Sequence, residues 1–434
     1  MFVKSSMKKN ILISFLFILP IFAQRPEHRP DIPQQFRLPF FVEVHVIPGD
    51  SLNTLYYSYR IPYNQLTFVK DGDKYKASLN VSIEVFDTSG QFISRQMKQR
   101  NIEVDNFSET NSPDYFCEDL LTFHLHNDDY NLIPIITDIQ SGQEEKLDST
   151  RVNKLKPNSM EILDPIVLNK DKIDINGQRY QVLTNYENSI PFSLEKYELA
   201  IPCRDTSIQK LYVRLINNRD TVFSGYTSES VLSDLSFKES ENKIVLDRGK
   251  TDNIFRNFTI DNFSNLLSEG GLQIIISKDN KFGVNSVIFT KRVVWFNKPF
   301  SLRNPEFAIS SLKYIESDTV ISKLLDADKL DYMSKLQKYW EKYDPTPDTK
   351  FNEIMNVYYN RVDYAIRNFA SLSNRNGADT DRGRIFIKYG KPAKIERNSN
   401  ENGKVVELWI YSKENLSFKF VDKNGTGEFP LAKG

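Results

Sequence analysis

Between residues 38 and 294 the chain repeats one device: short runs in which apolar and polar residues alternate, separated by clusters of Gly, Pro, Asn, Asp and Ser. A period of two places successive side chains on opposite faces, so this stretch is predicted to form strands. Residues 38–46 open the series, with Phe41, Glu43 and His45 on one face and Val42, Val44 and Val46 on the other. Runs at 54–61, 65–69, 75–86, 91–104, 115–125 and 132–139 follow, and Asp87-Thr88-Ser89-Gly90 between the fourth and fifth runs has turn chemistry. Seven strands spaced by turns predict an immunoglobulin-like β-sandwich over residues 37–155.

The polar residues 141–159 read as a surface loop and linker. Further runs at 180–183, 197–201, 210–215, 221–225, 243–246, 272–277 and 284–294 predict a second sandwich over 160–304, with one short helix at 258–267. No glycine-rich loop follows a strand and no βαβ rhythm is present, which argues against a nucleotide-binding fold. The two sandwiches share no internal sequence repeat.

Beyond residue 304 the periodicity changes. Leu330, Met333, Leu336 and Trp340 recur at three- and four-residue steps, the mark of an amphipathic helix. Thr346 then offers an N-cap, Pro347 suits the first helical position and Asp348 complements the helix dipole. A second helix is therefore expected over 347–372, its apolar face built from Phe351, Ile354, Tyr358, Val362, Ala365 and Phe369. Two such helices predict an antiparallel hairpin. Residues 384–389, 405–411, 417–421 and 427–431 read as strands, so residues 305–434 are expected to be an α+β module: a helical hairpin on a small antiparallel sheet. The fold class is mainly β, with two tandem sandwiches and this C-terminal module.

Composition limits function. Lys+Arg and Asp+Glu are equal at 57 each, so no global basic field exists to hold a phosphate backbone, and a nucleic-acid partner is not expected. Lys4, Lys8 and Lys9, the apolar residues 11–21 and Ala23-Gln24 have the order of a secretory signal peptide over residues 1–24. No later run approaches the length of a membrane-crossing helix, so no transmembrane segment is expected after signal cleavage. Cys117 and Cys203 are the only cysteines, too few for a cysteine zinc site and expected to be buried free thiols.

The C-terminal segment resembles a known bacterial family, the GWxTD domain, over about residues 331–431. Trp340 with Asp344-Pro345-Thr346-Pro347 carries the resemblance, as do Tyr359, Arg361, Val362 and Tyr364, the block Thr380-Asp381-Arg382-Gly383-Arg384-Ile385, Tyr389-Gly390 with Pro392, and Trp409 with Tyr411. The signature itself stands here as Gly377-Ala378-Asp379-Thr380-Asp381, with Ala378 in the tryptophan position. The resemblance implies an exported protein with β-rich regions ahead of the domain and no established reaction.

Candidate chemistry is sparse. All four histidines, His28, His45, His124 and His126, precede the module, so it cannot assemble a Ser/His or Cys/His catalytic pair by itself. His124 and His126 lie two apart on a strand without a third ligand at defined spacing, so no metal is expected. Asp379 and Asp381 are the one carboxylate pair that could do acid/base work, but Thr380 and Asp381 read first as acceptors for nearby backbone amides, with Arg382 or Arg384 paired to an acid. Arg361 is expected to tie helix to sheet through Asp381 or another acid. Trp340, Trp409 and Tyr411 read as core. The expected function is a non-catalytic, exported envelope protein, periplasmic or secreted, that binds an envelope protein and needs no cofactor. The alternative is a carboxylate-dependent hydrolase of envelope carbohydrate or peptidoglycan.

Overall fold

The first strand keeps the expected alternation, and its more buried face is the one that carries polar residues. In β1 (Phe41–Ile47), Glu43, His45 and Ile47 are buried, while Val42, Val44 and Val46 on the other face are half-buried. The cause is a further layer of protein on the Glu43 side. The computed structural model describes residues 40–112, 115–158, 160–249, 253–283, 285–326, 328–372, 374–399 and 403–432. The expected signal peptide lies outside the described residues.

The first β region comprises β1, β2 (Asn53–Pro62), β3 (Val69–Asp71), β4 (Lys74–Asp87), β5 (Phe92–Val104), a short helix α1 (Phe107–Thr110), β6 (Phe116–Leu125), β7 (Tyr130–Asp138), β8 (Gln143–Lys146) and β9 (Thr150–Val152). One antiparallel sheet has the order β1-β2-β6, and a second has β3-β4-β7-β8 with β5 added to β4 and β9 to β7. The two face each other across a small gap lined by Val46, Leu55 and Leu125 on one side and Tyr130 and Val152 on the other. The polar stretch expected to be a loop contains β8 and β9. Both pair with β7 through backbone bonds that need no apolar side chains, which is why composition did not reveal them.

The second region holds β10 (Ile166–Ile175), β11 (Gln178–Leu183), β12 (Ile190–Pro191), β13 (Tyr197–Cys203), β14 (Leu211–Asn217), β15 (Asp220–Thr227), β16 (Ser230–Ser233), β17 (Ser236–Ser240), β18 (Lys243–Asp247), β19 (Phe255–Ile260), β20 (Gly270–Ser277) and β21 (Val287–Val294). A seven-stranded sheet, β16-β19-β13-β10-β11-β18-β17, packs on a five-stranded one, β12-β21-β20-β14-β15. Leu199, Ile201 and Phe258 meet Val213, Leu215 and Ile274 in the core between them. The helix expected at 258–267 is replaced by the end of β19 and a single 3-10 turn at Ser264–Leu266, because Phe258 and Ile260 are both buried with a strand's period. The outer face of the seven-stranded sheet packs Leu168, Leu183, Phe237 and Leu246 against Ile47, Tyr56 and Leu120 of the β1-β2-β6 sheet. That sheet is consequently covered on both faces over much of its area, with His124 at one end left exposed.

The C-terminal part contains α2 (Pro305–Ser310), α3 (Asp318–Leu325), α4 (Tyr332–Trp340), α5 (Glu353–Asn368), α6 (Asp381–Tyr389) and the antiparallel sheet β22 (Lys394–Ser399), β23 (Val405–Tyr411), β24 (Leu416–Val421). Several expectations change here. Leu330 leaves the helical stripe, being 91% exposed ahead of α4. The second helix starts at Glu353, where Asn352 accepts a bond from the Met355 amide at 2.8 Å and donates to the Trp340 carbonyl at 2.9 Å, joining the end of α4 to the start of α5. Residues 384–389, expected as a strand, are helical, and α6 is the antiparallel partner of α5: Phe386 stacks on Tyr364 with centroids 4.5 Å apart and meets Phe369 at 5.4 Å. Trp340 of α4 instead meets α5 through Tyr358 at 5.1 Å and Tyr359 at 5.9 Å. The expected strand at 427–431 reduces to one bridge between Leu431 and Phe420.

Candidate functional site

The segment from Asn376 to Gly390 lies against the C-terminal half of α5. Gly377 is required by close approach, since a Cβ there would collide with the Ala365 carbonyl oxygen, and a Cβ on Gly383 would strike the Gly377 carbonyl oxygen. Asn376 opens a single 3-10 turn at Gly377–Asp379 by accepting a bond from the Ala378 amide at 3.2 Å. Thr380 then caps α6: its Oγ1 accepts from the Gly383 amide at 3.1 Å and donates to the Gly377 carbonyl at 2.7 Å.

Each charged group of the segment has a structural partner or faces water. Asp379 accepts bonds from the Tyr314 hydroxyl at 2.9 Å and Asn376 Nδ2 at 2.7 Å, and pairs with Lys313 at 2.7 Å. Burial would raise its pKa, but the bonds from Lys313, Tyr314 and Asn376 outweigh burial and hold it below the usual aspartate range. Asp381 accepts from the Leu431 amide at 2.8 Å, so it pins the chain end rather than a nearby turn amide. Arg382 pairs with Glu407 of β23 at 3.3 Å, donates to the Gly427 carbonyl at 3.3 Å and lies over the Phe429 ring at 4.2 Å. Arg384 is exposed on α6.

Arg361 does not pair with Asp381. It donates to the carbonyls of Ile387 and Lys388 at 3.3 and 3.2 Å, supplying acceptor-hungry N–H groups to the last turn of α6, whose carbonyls have no helical partner. Gly390 follows with a φ of +79°, and its carbonyl accepts the Tyr411 hydroxyl at 2.9 Å. Asp344 accepts from the Thr346 amide at 2.9 Å, and the Thr346 hydroxyl, expected as a helix cap, donates to Glu353 at 2.7 Å instead. Trp340, Trp409 and Tyr411 are all buried; Trp409 packs on Phe420 at 5.0 Å and Phe369 at 5.4 Å.

Residues 285–431 are a GWxTD domain. The domain begins well ahead of the expected residue 331, taking in β21, α2 and α3, and the 3-10 turn Ser311–Tyr314 between α2 and α3 supplies Lys313 and Tyr314 to Asp379, the variable position of the signature. Ala378, fully buried, puts a methyl group where the GWxTD signature has an indole. No curated protein matches the chain. Among solved structures, the BSP domain of a biofilm-associated protein is similar at 8% identity with a TM-score of 0.16, covering 59% of this chain and 51% of its own length. The chain thus spans about half of that structure.

The sequence did not single out Lys313, Tyr314, Asn376, Glu407 or Asp363. Asp363, buried in α5, accepts from the Phe300 and Ser301 amides at 2.6 and 3.2 Å, and its pKa is raised because burial outweighs those bonds. Only Asn376 carried a local signal, the Asn-Gly pair that favours a turn. Elsewhere, His124 and His126 are exposed, and among the described residues no group of three or more His, Cys, Asp and Glu is placed to hold a metal. Cys117 and Cys203 are both buried and free, and burial pushes their thiols up to about 12 and about 11. No helix among the described residues is long and apolar enough to cross a membrane.

Proposed function

We propose that the protein is an exported, non-catalytic component of the bacterial cell envelope, periplasmic or secreted, whose C-terminal domain docks an envelope protein. The segments 37–155 and 160–304 serve as spacer and interaction modules ahead of the module at 305–434. One observation supports this reading above others: the carboxylates of the signature are engaged by the fold itself, Asp379 by Lys313, Tyr314 and Asn376, and Asp381 by the Leu431 amide. A general acid and base need unequal, available carboxyl groups facing a shared cleft.

The test compares melting with hydrolysis. Purified protein incubated with peptidoglycan and envelope glycans should release no new reducing ends, and Asp379→Asn and Asp381→Asn should each melt below the parent. Hydrolysis by the parent that disappears in either variant, with melting unchanged, would assign chemistry to that carboxylate and overturn the proposal. Export is checked separately by N-terminal sequencing, which should find a mature start at or just after Gln24.

A further inference from the structure

The five-stranded sheet of the second region has one face in the core and one toward water. Register fixes which side chains share the outer face: Tyr212 pairs with Tyr226 and Ser277, Arg214 with Ser224 and Ile275, and Ile216 with Thr221 and Gln273. Beyond β20, Ile288 and Thr290 of β21 continue the second and third rows. None of these outward positions is acidic. Tyr226 is 59% exposed and Ile288 is 58% exposed.

Two cations on this face are held by rings. Lys210 Nζ lies 3.6 Å from the centre of the Tyr226 ring and 4.9 Å from that of Tyr212, and the Arg214 guanidinium lies 4.2 Å from that of Phe282. A ring attracts a cation without neutralising it, so both keep their charge for an external anion. Two acids at the rim are already paired, Glu269 with Lys298 at 2.7 Å and Asp205 with Lys278 at 3.7 Å, and exposed Asp220 stands at the opposite end of β15 from Tyr226.

From this arrangement we propose that the outer face of β15-β14-β20-β21 binds an anionic polysaccharide. The partner's chemistry follows from three features. A pleated sheet presents broad contact rather than a groove, and the tyrosine and isoleucine side chains offer apolar area to the C–H faces of sugar rings. Ser224, Gln273, Thr290 and the tyrosine hydroxyls offer neutral donors and acceptors to a hydroxyl-rich chain. Two ring-held cations four residues apart along one chain segment, about 13 Å at the rise of a strand, suit a polymer with sparse carboxylates. Duplex nucleic acid, with a charge every ~1.7 Å, would need a denser basic surface. This inference does not depend on whether the C-terminal carboxylates do chemistry.

Affinity electrophoresis of the purified chain tests it, using gels that contain polygalacturonate, neutral dextran or poly-L-glutamate. Polygalacturonate should retard the chain, added salt should weaken the effect, and dextran and poly-L-glutamate should retard it far less. Tyr226→Ala and Lys210→Gln should each weaken polygalacturonate binding by about tenfold, with parent-like melting because both side chains reach solvent. No retardation in polygalacturonate, equal retardation in dextran, equal retardation in poly-L-glutamate, or variants that bind like the parent would each overturn the proposal.

Discussion

Two junctions meet the second β region, and they are built from opposite materials. On the N-terminal side, Arg60 lies between the rings of Phe116 at 3.8 Å and Tyr186 at 4.0 Å, donates to the Thr184 carbonyl at 3.1 Å and faces Glu118 at 3.5 Å. Glu118, only 2% exposed, also receives Lys243 and Asn185 at 3.3 Å each. Beside them His45 bonds Glu43 at 2.8 Å and stacks on Phe237 with ring centroids 4.8 Å apart. On the C-terminal side, Phe192, Trp295 and Phe351 meet edge to face at 5.2 to 5.5 Å. Ion pairs and amides accept few geometries, so the first junction specifies register. Rings accept many, so the second supplies contact area with looser orientation.

The sharpest way to break that contrast is Glu118→Ala, which leaves the buried Arg60 without its carboxylate, while half-exposed Lys243 turns to water. It should destabilise the chain by about 3–5 kcal/mol in chemical denaturation. Pairing Arg60→Met with Glu118→Leu should recover most of that loss, since an apolar pair leaves no uncompensated charge. If the double variant is as unstable as Glu118→Ala, the pair contributes more than mutual neutralisation.

At the other junction, Phe351→Ala should cost about 3 kcal/mol, at the low end for a buried aromatic because neighbouring rings can shift into the space. Phe351→Leu should cost under about 1.5 kcal/mol. A leucine variant as damaging as alanine would show that this junction also demands one geometry.

Asp379→Asn, within the domain, should cost about 1 kcal/mol, a figure already reduced for its partial exposure. Its pH dependence has a definite sign. Because the folded carboxyl titrates below the usual aspartate value of about 3.9, its stabilisation is present above that value and lost as pH falls toward the lower, folded one. Parent and variant should therefore differ at neutral pH and converge under acid, as read from melting curves. Smallest of all, Leu330→Lys should change melting by less than about 0.5 kcal/mol, since the side chain stands in solvent.

Much of the layering is legible from strand periodicity, and the failures have specific physical causes. The run from Arg384 to Tyr389 looks like a strand because β-branched residues alternate, yet the decisive groups lie just upstream: Thr380 caps the turn, and Gly383, Phe386 and Ile387 then share the buried face of a helix. The readable start signal is Thr380 followed at once by Asp381, a cap residue with an acid in the first turn. The burial of Glu43 and His45 is not legible in β1 itself, because a single strand cannot reveal a second layer arriving from far along the chain. In the signature, Thr380's local role followed from residue type. The partners of Asp379 and Arg361 did not, because Lys313, Tyr314 and the end of α6 are brought near only by tertiary packing.

A sheet covered on both faces cannot be completed by its own strands alone. Arg60 waits for a carbonyl 124 residues later, and the Pro48 carbonyl for the Asn253 amide 205 residues later. A chain that emerges N-terminus first must therefore hold the face bearing Glu43, His45 and Arg60 open until the strands up to β18 are available. Contacts of such sequence separation form slowly, and the waiting surface is exposed to wrong pairings. The buried charges on that face lessen this hazard, because while unpaired they keep it hydrated. The same side chains that later fix the register thus protect the nascent chain from premature association.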